Sequence, residues 1–284
     1  MEIIPFKPGR QLSLTNSGNL EIFFIGVGTA FANANSQTNF LIIKGDAHLL
    51  VDFGQKGQAA LEATAGLSPS DIGAVLPTHS HADHVGGLET LALLNRYVAK
   101  PQHNKSTLRM IITQKYQRVL WDYTLRGGLE YNEEFARGNT MCFSDYFEAL
   151  RPTLATSHPR EVFTFNYQGI TLELFRTRHI PETAKNWETS FISYGLFIDG
   201  RVFYSGDTQY DPELITLYQD RADIMFHDVQ FYPGGVHAYI DELRDLPAAT
   251  KRKMHLLHYA DNYREQKIEE FAGWTLPGCR YIFR

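Results

Sequence analysis

Short runs of β-branched and aromatic residues alternate along this chain with longer stretches in which apolar positions recur every three to four residues. Leu20–Gly26, Asn39–Lys44 and Ala47–Asp52 read as three successive strands. Lys44-Gly45-Asp46 between the last two is a hairpin signal, because glycine supplies the positive φ that tight turns need. A helix is predicted over Gln55–Ala65, ended by Gly66, then a loop at Ser68-Pro69-Ser70-Asp71. Ile72–Pro77 reads as a short buried strand, and His84–Val98 as a helix with Leu88, Leu91, Leu93 and Leu94 on its apolar side. Leu108–Ile112 is another strand. The stretch from 114 to 159 is less regular and rich in aromatics: Trp121, Tyr123, Tyr131, Phe135, Phe143, Tyr146 and Phe147. These favour core packing over base stacking, and the segment is expected to vary, shaping an entrance or a subunit contact. Strands return at Val162–Asn166, Ile170–Phe175, Phe191–Ile198 and Arg201–Ser205, the last two joined by an Asp199-Gly200 turn. Asp211–Tyr218 reads as a helix with Pro212 in its first turn, Ile224–His227 and Met254–His258 as strands, and Arg264–Phe271 as a late helix. Both halves alternate strands with helices, no low-complexity linker divides them, and a single α/β domain over residues 1–284, sheets inside and helices outside, fits best.

Composition narrows the function classes. The 284 residues carry 27 Lys and Arg against 32 Asp and Glu, a net charge of −5, so the basic excess of a nucleic-acid binder is absent from the totals. Two cysteines, Cys142 and Cys279, are too few for a disulfide framework. The first ten residues lack an apolar core of signal-peptide length, which makes a reducing cytoplasm the expected location. No run approaches the roughly 18 apolar residues of a membrane span, so no membrane partner is expected. Histidine is the outlier, with eleven copies, several of them clustered.

The sharpest cluster is Thr78-His79-Ser80-His81-Ala82-Asp83-His84, followed by Gly86-Gly87-Leu88. It places four metal-capable side chains within six residues, directly after a predicted buried strand and before a predicted helix. A chain leaving a strand there can turn several side chains toward one point. Imidazole and carboxylate ligands suit Zn²⁺, and an open position leaves room for water. His48, His103 and His158 have no comparable context. His255 lies on a strand whose neighbours Met254 and Leu256 point to the core, and it is not counted as a ligand.

His79-Ser80-His81-Ala82-Asp83-His84 with Gly86-Gly87-Leu88 resembles the signature loop of the metallo-β-lactamase superfamily, and later segments extend the resemblance across most of the chain. Leu50-Val51-Asp52-Phe53-Gly54 resembles the strand end whose Asp supports the histidine loop. Thr177-Arg178-His179, Tyr204-Ser205-Gly206-Asp207-Thr208 and Leu256-Leu257-His258-Tyr259 resemble the segments that supply the third histidine, the bridging carboxylate and the last histidine. The resemblance implies a four-layer αββα sandwich that binds two Zn²⁺, with Mn²⁺ or another divalent metal as a substitute. His79, His81 and His179 would hold one ion, Asp83, His84 and His258 the other, and Asp207 both. A hydroxide between the ions would attack the substrate. The related diiron oxygen reductases carry Glu where this chain has His81, which disfavours redox iron. True metallo-β-lactamases usually carry Cys where it has Asp207, which disfavours a β-lactam substrate.

Two further stretches point to phosphodiester chemistry. Phe24-Ile25-Gly26-Val27-Gly28-Thr29-Ala30 resembles the opening strand and loop of the transfer-RNA 3′-processing endonucleases. Phe226-His227-Asp228-Val229-Gln230 and Pro233-Gly234-Gly235-Val236-His237 resemble their segment carrying a leaving-group histidine. His237 precedes His258 by 21 residues, as that resemblance requires, and Asp228 is placed to orient an imidazole. Asp83, His237 and Asp228 are therefore the catalytic candidates beyond the ligands. The basic arm of the transfer-RNA enzymes has no counterpart: Trp121–Glu134 is aromatic and mildly charged, without the dense Lys/Arg cluster that neutralising several phosphates requires. The chain is more similar to the cyclic-nucleotide phosphodiesterases of this branch, including the anti-Pycsar enzymes that cleave 3′,5′-cyclic mononucleotides. That resemblance implies a small phosphodiester or nucleotide substrate and a homodimer; an aromatic from 116–147 or Tyr259 is the candidate for stacking on a base. A transfer-RNA 3′-endonuclease, or a thioester or lactone hydrolase on the same metals, are the alternatives.

Overall fold

The apolar runs read from the sequence are strands, and they sort into two eight-stranded sheets, each in a compact unit of its own. In the computed structural model, which describes residues 1–133, 138 and 140–284, one unit comprises Met1–Ile25, Asn39–Pro152 and Gly278–Arg284. The other comprises Gly26–Thr38 and Thr153–Pro277. Glu134 and Phe135, in the aromatic segment from 114 to 159, lie outside the described residues.

The first sheet is built from β1 (Glu2–Pro5), β2 (Leu20–Gly26), β3 (Asn39–Lys44), β4 (Ala47–Val51), β5 (Ala74–Leu76), β6 (Leu108–Ile111) and β7 (Phe147–Leu150), with the C-terminal β16 (Cys279–Phe283) inserted between β1 and β2. From β4 through β7 the pairing is parallel, and parallel neighbours need crossover connections. The helices Gly57–Ala65, Leu88–Leu94 and Gln114–Leu120 lie in those connections. All seven residues of β2, the ion-paired Glu21 included, and all three of β5 are buried, which explains runs that are mostly apolar rather than alternating.

The second sheet contains β8 (Thr153–Thr156), β9 (Val162–Tyr167), β10 (Ile170–Arg176), β11 (Tyr194–Ile198), β12 (Val202–Tyr204), β13 (Ile224–Asp228), β14 (Met254–Leu257) and β15 (Gly273–Trp274). Strands β8 to β12 form an antiparallel meander and β12 to β15 run parallel. Asp199 and Gly200 turn between β11 and β12 with φ of 51° and 67°, the two left-handed residues of a type I′ hairpin. Both units thus lead from antiparallel strands into parallel ones. The chemistry-bearing residues follow the carboxyl ends of strands, where open α/β sheets bind ligands.

Several expectations need correction. The helix read as His84–Val98 begins at Ala82, pauses at Gly86-Gly87, resumes over Leu88–Leu94 and loosens into a π-helical turn at Asn95–Ala99. A Cβ on Gly87 would lie 2.5 Å from the carbonyl oxygen of Gly54 and 2.7 Å from the Phe53 ring, so glycine is what lets this corner close. Arg264–Phe271 is not a helix: a 3₁₀ turn at Tyr263–Glu265 leads through a further turn and bends into the two-residue β15. Within that stretch only Phe271 is buried, and a segment polar all round has no apolar stripe to hold it helical.

Candidate metal centre

In the first unit the chain leaves β5 through Pro77 and Thr78, and Asp52 organises the histidine loop beyond them. Asp52 lies just past β4 with a φ of 60°, a left-handed conformation that costs a non-glycine residue about 1–3 kcal/mol. The strained turn brings its carboxylate beneath the loop. Oδ1 accepts the Thr78 backbone N–H at 2.7 Å, and Oδ2 accepts the Thr78 hydroxyl at 2.8 Å and Nδ1–H of His84 at 2.8 Å. Burial pushes the Asp52 carboxyl above its usual range, against the opposing pull of His84 and of the Thr78 donors. With Nδ1 donating to Asp52, His84 carries its lone pair on Nε2, which lies 3.3 Å from Oδ2 of Asp83. The His79 ring centroid is 4.2 Å from that of His84 and 4.7 Å from that of His81. His79, Asp83 and His84 are buried, and His81 is half-buried at the start of the helix Ala82–Val85.

The second unit gathers the remaining residues. His179 follows β10 and is fully buried; its Nδ1 donates to the carbonyl of Val236 at 2.9 Å, leaving the lone pair on Nε2. That Nε2 lies 3.8 Å from Oδ2 of Asp207. His258 follows β14 with a φ of 56°, and its Nε2 lies 3.5 Å from the same oxygen. Gly206 sets Asp207: at φ 60° a Cβ there would be 2.4 Å from the carbonyl oxygen of Tyr194. Two imidazole nitrogens and a carboxylate oxygen, all electron-pair donors, therefore converge in a buried place, and a divalent cation satisfies such a set.

Asp228 ends β13 and is equally buried. Its Oδ2 accepts the Thr208 backbone N–H at 2.9 Å and Nδ1–H of His237 at 2.8 Å, and its Oδ1 lies 3.4 Å from Nδ1 of His258. Burial raises the Asp228 carboxyl, but His237 first and His258 after it outweigh burial and hold it below the usual carboxylate range. Donor atoms of Asp228, His237 and His258 all lie within 4.8 Å of one another. His237 keeps 18% of its side chain exposed, whereas His179, Asp207 and His258 are nearly sealed.

Each unit thus collects its own share of the candidates: His79, His81, Asp83 and His84 in one, His179, Asp207, Asp228, His237 and His258 in the other. The histidines set aside have other work. His48 accepts the Gly73 N–H at 3.0 Å, His103 and His158 are exposed, and His255 packs beside Phe226. Tyr259 cannot stack on a base: its ring is fully buried and its hydroxyl donates to the Thr275 carbonyl at 2.7 Å. Thr78 and the Val236 carbonyl, which fix Asp52 and His179, were not anticipated. A backbone carbonyl leaves no sequence signal, whereas Thr78 stands beside the motif.

The family model of the anti-Pycsar protein Apyc1 matches residues 20–276. The anti-Pycsar protein Apyc1 of Paenibacillus harenae is 33% identical over 260 residues, covering 90% of this chain and 94% of that protein. Among solved structures, the metallo-beta-lactamase fold protein YhfI from Bacillus subtilis superposes with a TM-score of 0.64 at 18% identity, over 93% of this chain and 100% of that one. A diphosphatase from the PhnP family gives 0.65 at 13% identity, over 93% and 98%. The α/β chain has the metallo-β-lactamase fold and belongs to the anti-Pycsar Apyc1 family.

Proposed function

We propose that this protein is a hydrolase acting as a dinuclear zinc-dependent phosphodiesterase on 3′,5′-cyclic mononucleotides or another small phosphodiester. The observation that carries the reading is the cluster Asp207–His258–Asp228–His237, in which a metal-capable carboxylate and imidazole adjoin a carboxylate–histidine pair with an exposed tip. Family membership supports a substrate like that of the cyclic-nucleotide enzymes the sequence resembles. His79, His81 and His179 would hold one ion, Asp83, His84 and His258 the other, and Asp207 both. The donor set fits: buried imidazoles with Nδ1 engaged by Asp52 or Val236 offer Nε2, the neutral nitrogen ligand that Zn²⁺ takes.

When bound, two such ions make water acidic enough to act as a nucleophile near neutral pH and offset the negative charge of the phosphoryl oxygens. The protein's own groups do the rest. Asp83 orients the attacking water and accepts its proton. Asp228, an anion 2.8 Å from Nδ1 of His237, orients that ring, and in its doubly protonated form the ring gives its Nε2 proton to the departing ribose oxygen. The negative total charge and the absence of a basic arm favour a small substrate over a folded RNA. The segment 114–159 is the variable part, shaping the substrate entrance or a subunit contact, and the working form is a cytoplasmic homodimer.

A panel assay tests this. Zinc-loaded protein is incubated with cyclic mononucleotides, bis-p-nitrophenyl phosphate, a precursor transfer RNA and a glutathione thioester. Turnover of the cyclic nucleotides, abolished by chelation, is expected; turnover of the thioester alone or of the RNA alone overturns the proposal.

A further inference from the structure

The turn after β2 carries an aromatic ring that the proposed mechanism leaves unused. Phe31 is 90% exposed, yet the backbone around it is tightly held. Val27 and Gly28 donate to the carbonyls of Asn35 and Ser36 at 3.1 and 2.7 Å, and Ala32 donates to Thr29 at 3.1 Å. The backbone N–H groups of Asn33 and Ala34 both donate to the Asp261 carboxylate, at 2.9 and 3.1 Å, and the Gln37 side chain donates to the Ala30 carbonyl at 3.2 Å. Ala32, the next residue, is buried. Phe31 is therefore projected by a braced turn rather than left outside by a frayed one. Its two chain neighbours, Ala30 and Ala32, carry only methyl side chains.

The same turn is joined to the segment bearing His258. Thr29 donates to the Tyr259 carbonyl and Tyr259 to the Val27 carbonyl, each at 3.3 Å, and Asp261 lies two residues further on. Phe31 thus stands two residues from a direct hydrogen bond to the neighbour of a candidate metal ligand, all within one unit.

We propose that Phe31 is the stacking platform for the nucleobase of the substrate, the role that the buried Tyr259 cannot fill. The inference rests on the phosphodiesterase reading and adds the group that recognises the nucleoside. Every base presents a π-face, so a lone phenyl ring with no polar partner favours nucleotides over base-free phosphodiesters while discriminating weakly among bases.

The test compares wild type with Phe31→Ala and Phe31→Trp on a 3′,5′-cyclic mononucleotide and on the 3′,5′-cyclic phosphate of 1-deoxyribose, which lacks a base. Stacking of this kind predicts that Phe31→Ala raises KM for the nucleotide about tenfold or more with kcat changed less than about twofold. The ratio of kcat/KM for nucleotide over base-free substrate falls by the same factor, and Phe31→Trp restores it. An unchanged ratio in Phe31→Ala overturns the inference. So does an equal loss on both substrates accompanied by dissociation of a dimer in light scattering, which would make the ring a subunit contact. Wild-type turnover of neither substrate would instead remove the phosphodiesterase reading, and the inference with it.

Discussion

Asp228 shows how one side chain can serve two neighbours. Buried at the end of β13, it stays ionised because His237 and His258 face its two oxygens, and it fixes the His237 ring through a 2.8 Å bond. If His237 is a proton donor, His237→Ala lowers kcat by about 10²- to 10⁴-fold with metal content unchanged. Asp83→Ala lowers both rate and bound metal, as elemental analysis alongside the kinetics will show. Equal metal loss in both variants makes His237 a ligand instead. A different histidine contributes to acid sensitivity. Burial lowers the pKa of His48 from its ordinary 6.5, the Lys105 charge adding to that effect, and its Nε2 must stay unprotonated to accept the Gly73 N–H. Below that ordinary value the unfolded chain binds a proton that the folded chain refuses, so stability falls as pH drops, by at most about 1.4 kcal/mol per pH unit for this group. His48→Gln should therefore lose less melting temperature between pH 7.5 and 5.5 than the parent. An identical loss would show that His48 contributes nothing to the acid limb. The residues legible from sequence were those packed into one short stretch, 79 to 84, where spacing alone carries information. His179, Asp207 and His258 were legible only through resemblance, and the Val236 carbonyl not at all.

At the scale of elements, glycine placement decides how accurately a loop presents its carboxylate. Gly206 combines a φ of 60° with a carbonyl 2.4 Å from where a Cβ would stand, whereas Gly200, at φ 67°, faces open space. Gly200→Ala should cost about 1–3 kcal/mol through backbone strain alone. Gly206→Ala should cost more, because Tyr194 must also move, and it should weaken metal binding by displacing Asp207. Denaturant titration with metal content measured in parallel checks both; equal costs with metal retained would refute the claim that Gly206 seats Asp207. The buried strands β2, β3 and β11 were readable from nearly continuous apolar runs, and β10 from the alternation of Ile170, Leu172 and Leu174 with Thr171 and Glu173. β8 was not, since all four of its residues are exposed at a sheet edge, nor was the two-residue β15. β16 was missed although three of its five residues are buried, and it is tied to β2 by Arg280, whose guanidinium donates twice to Glu21 at 2.7 Å. Pairing between strands more than 250 residues apart leaves no local pattern to read.

At the scale of the whole molecule, the fold class followed from alternating strand and helix patterns, and family membership agrees with it over most of the chain. No helix among the described residues is long and apolar enough to cross a membrane. The central claim is narrower than substrate identity: we propose that the chain holds two divalent ions, with Asp207 among their ligands. Elemental analysis by inductively coupled plasma mass spectrometry of protein stripped with chelator, reloaded with zinc and freed of excess tests it most directly. The account predicts about two zinc ions per chain, falling when Asp207 is replaced by Ala; a chain that retains no stoichiometric metal, or the same amount without Asp207, contradicts it.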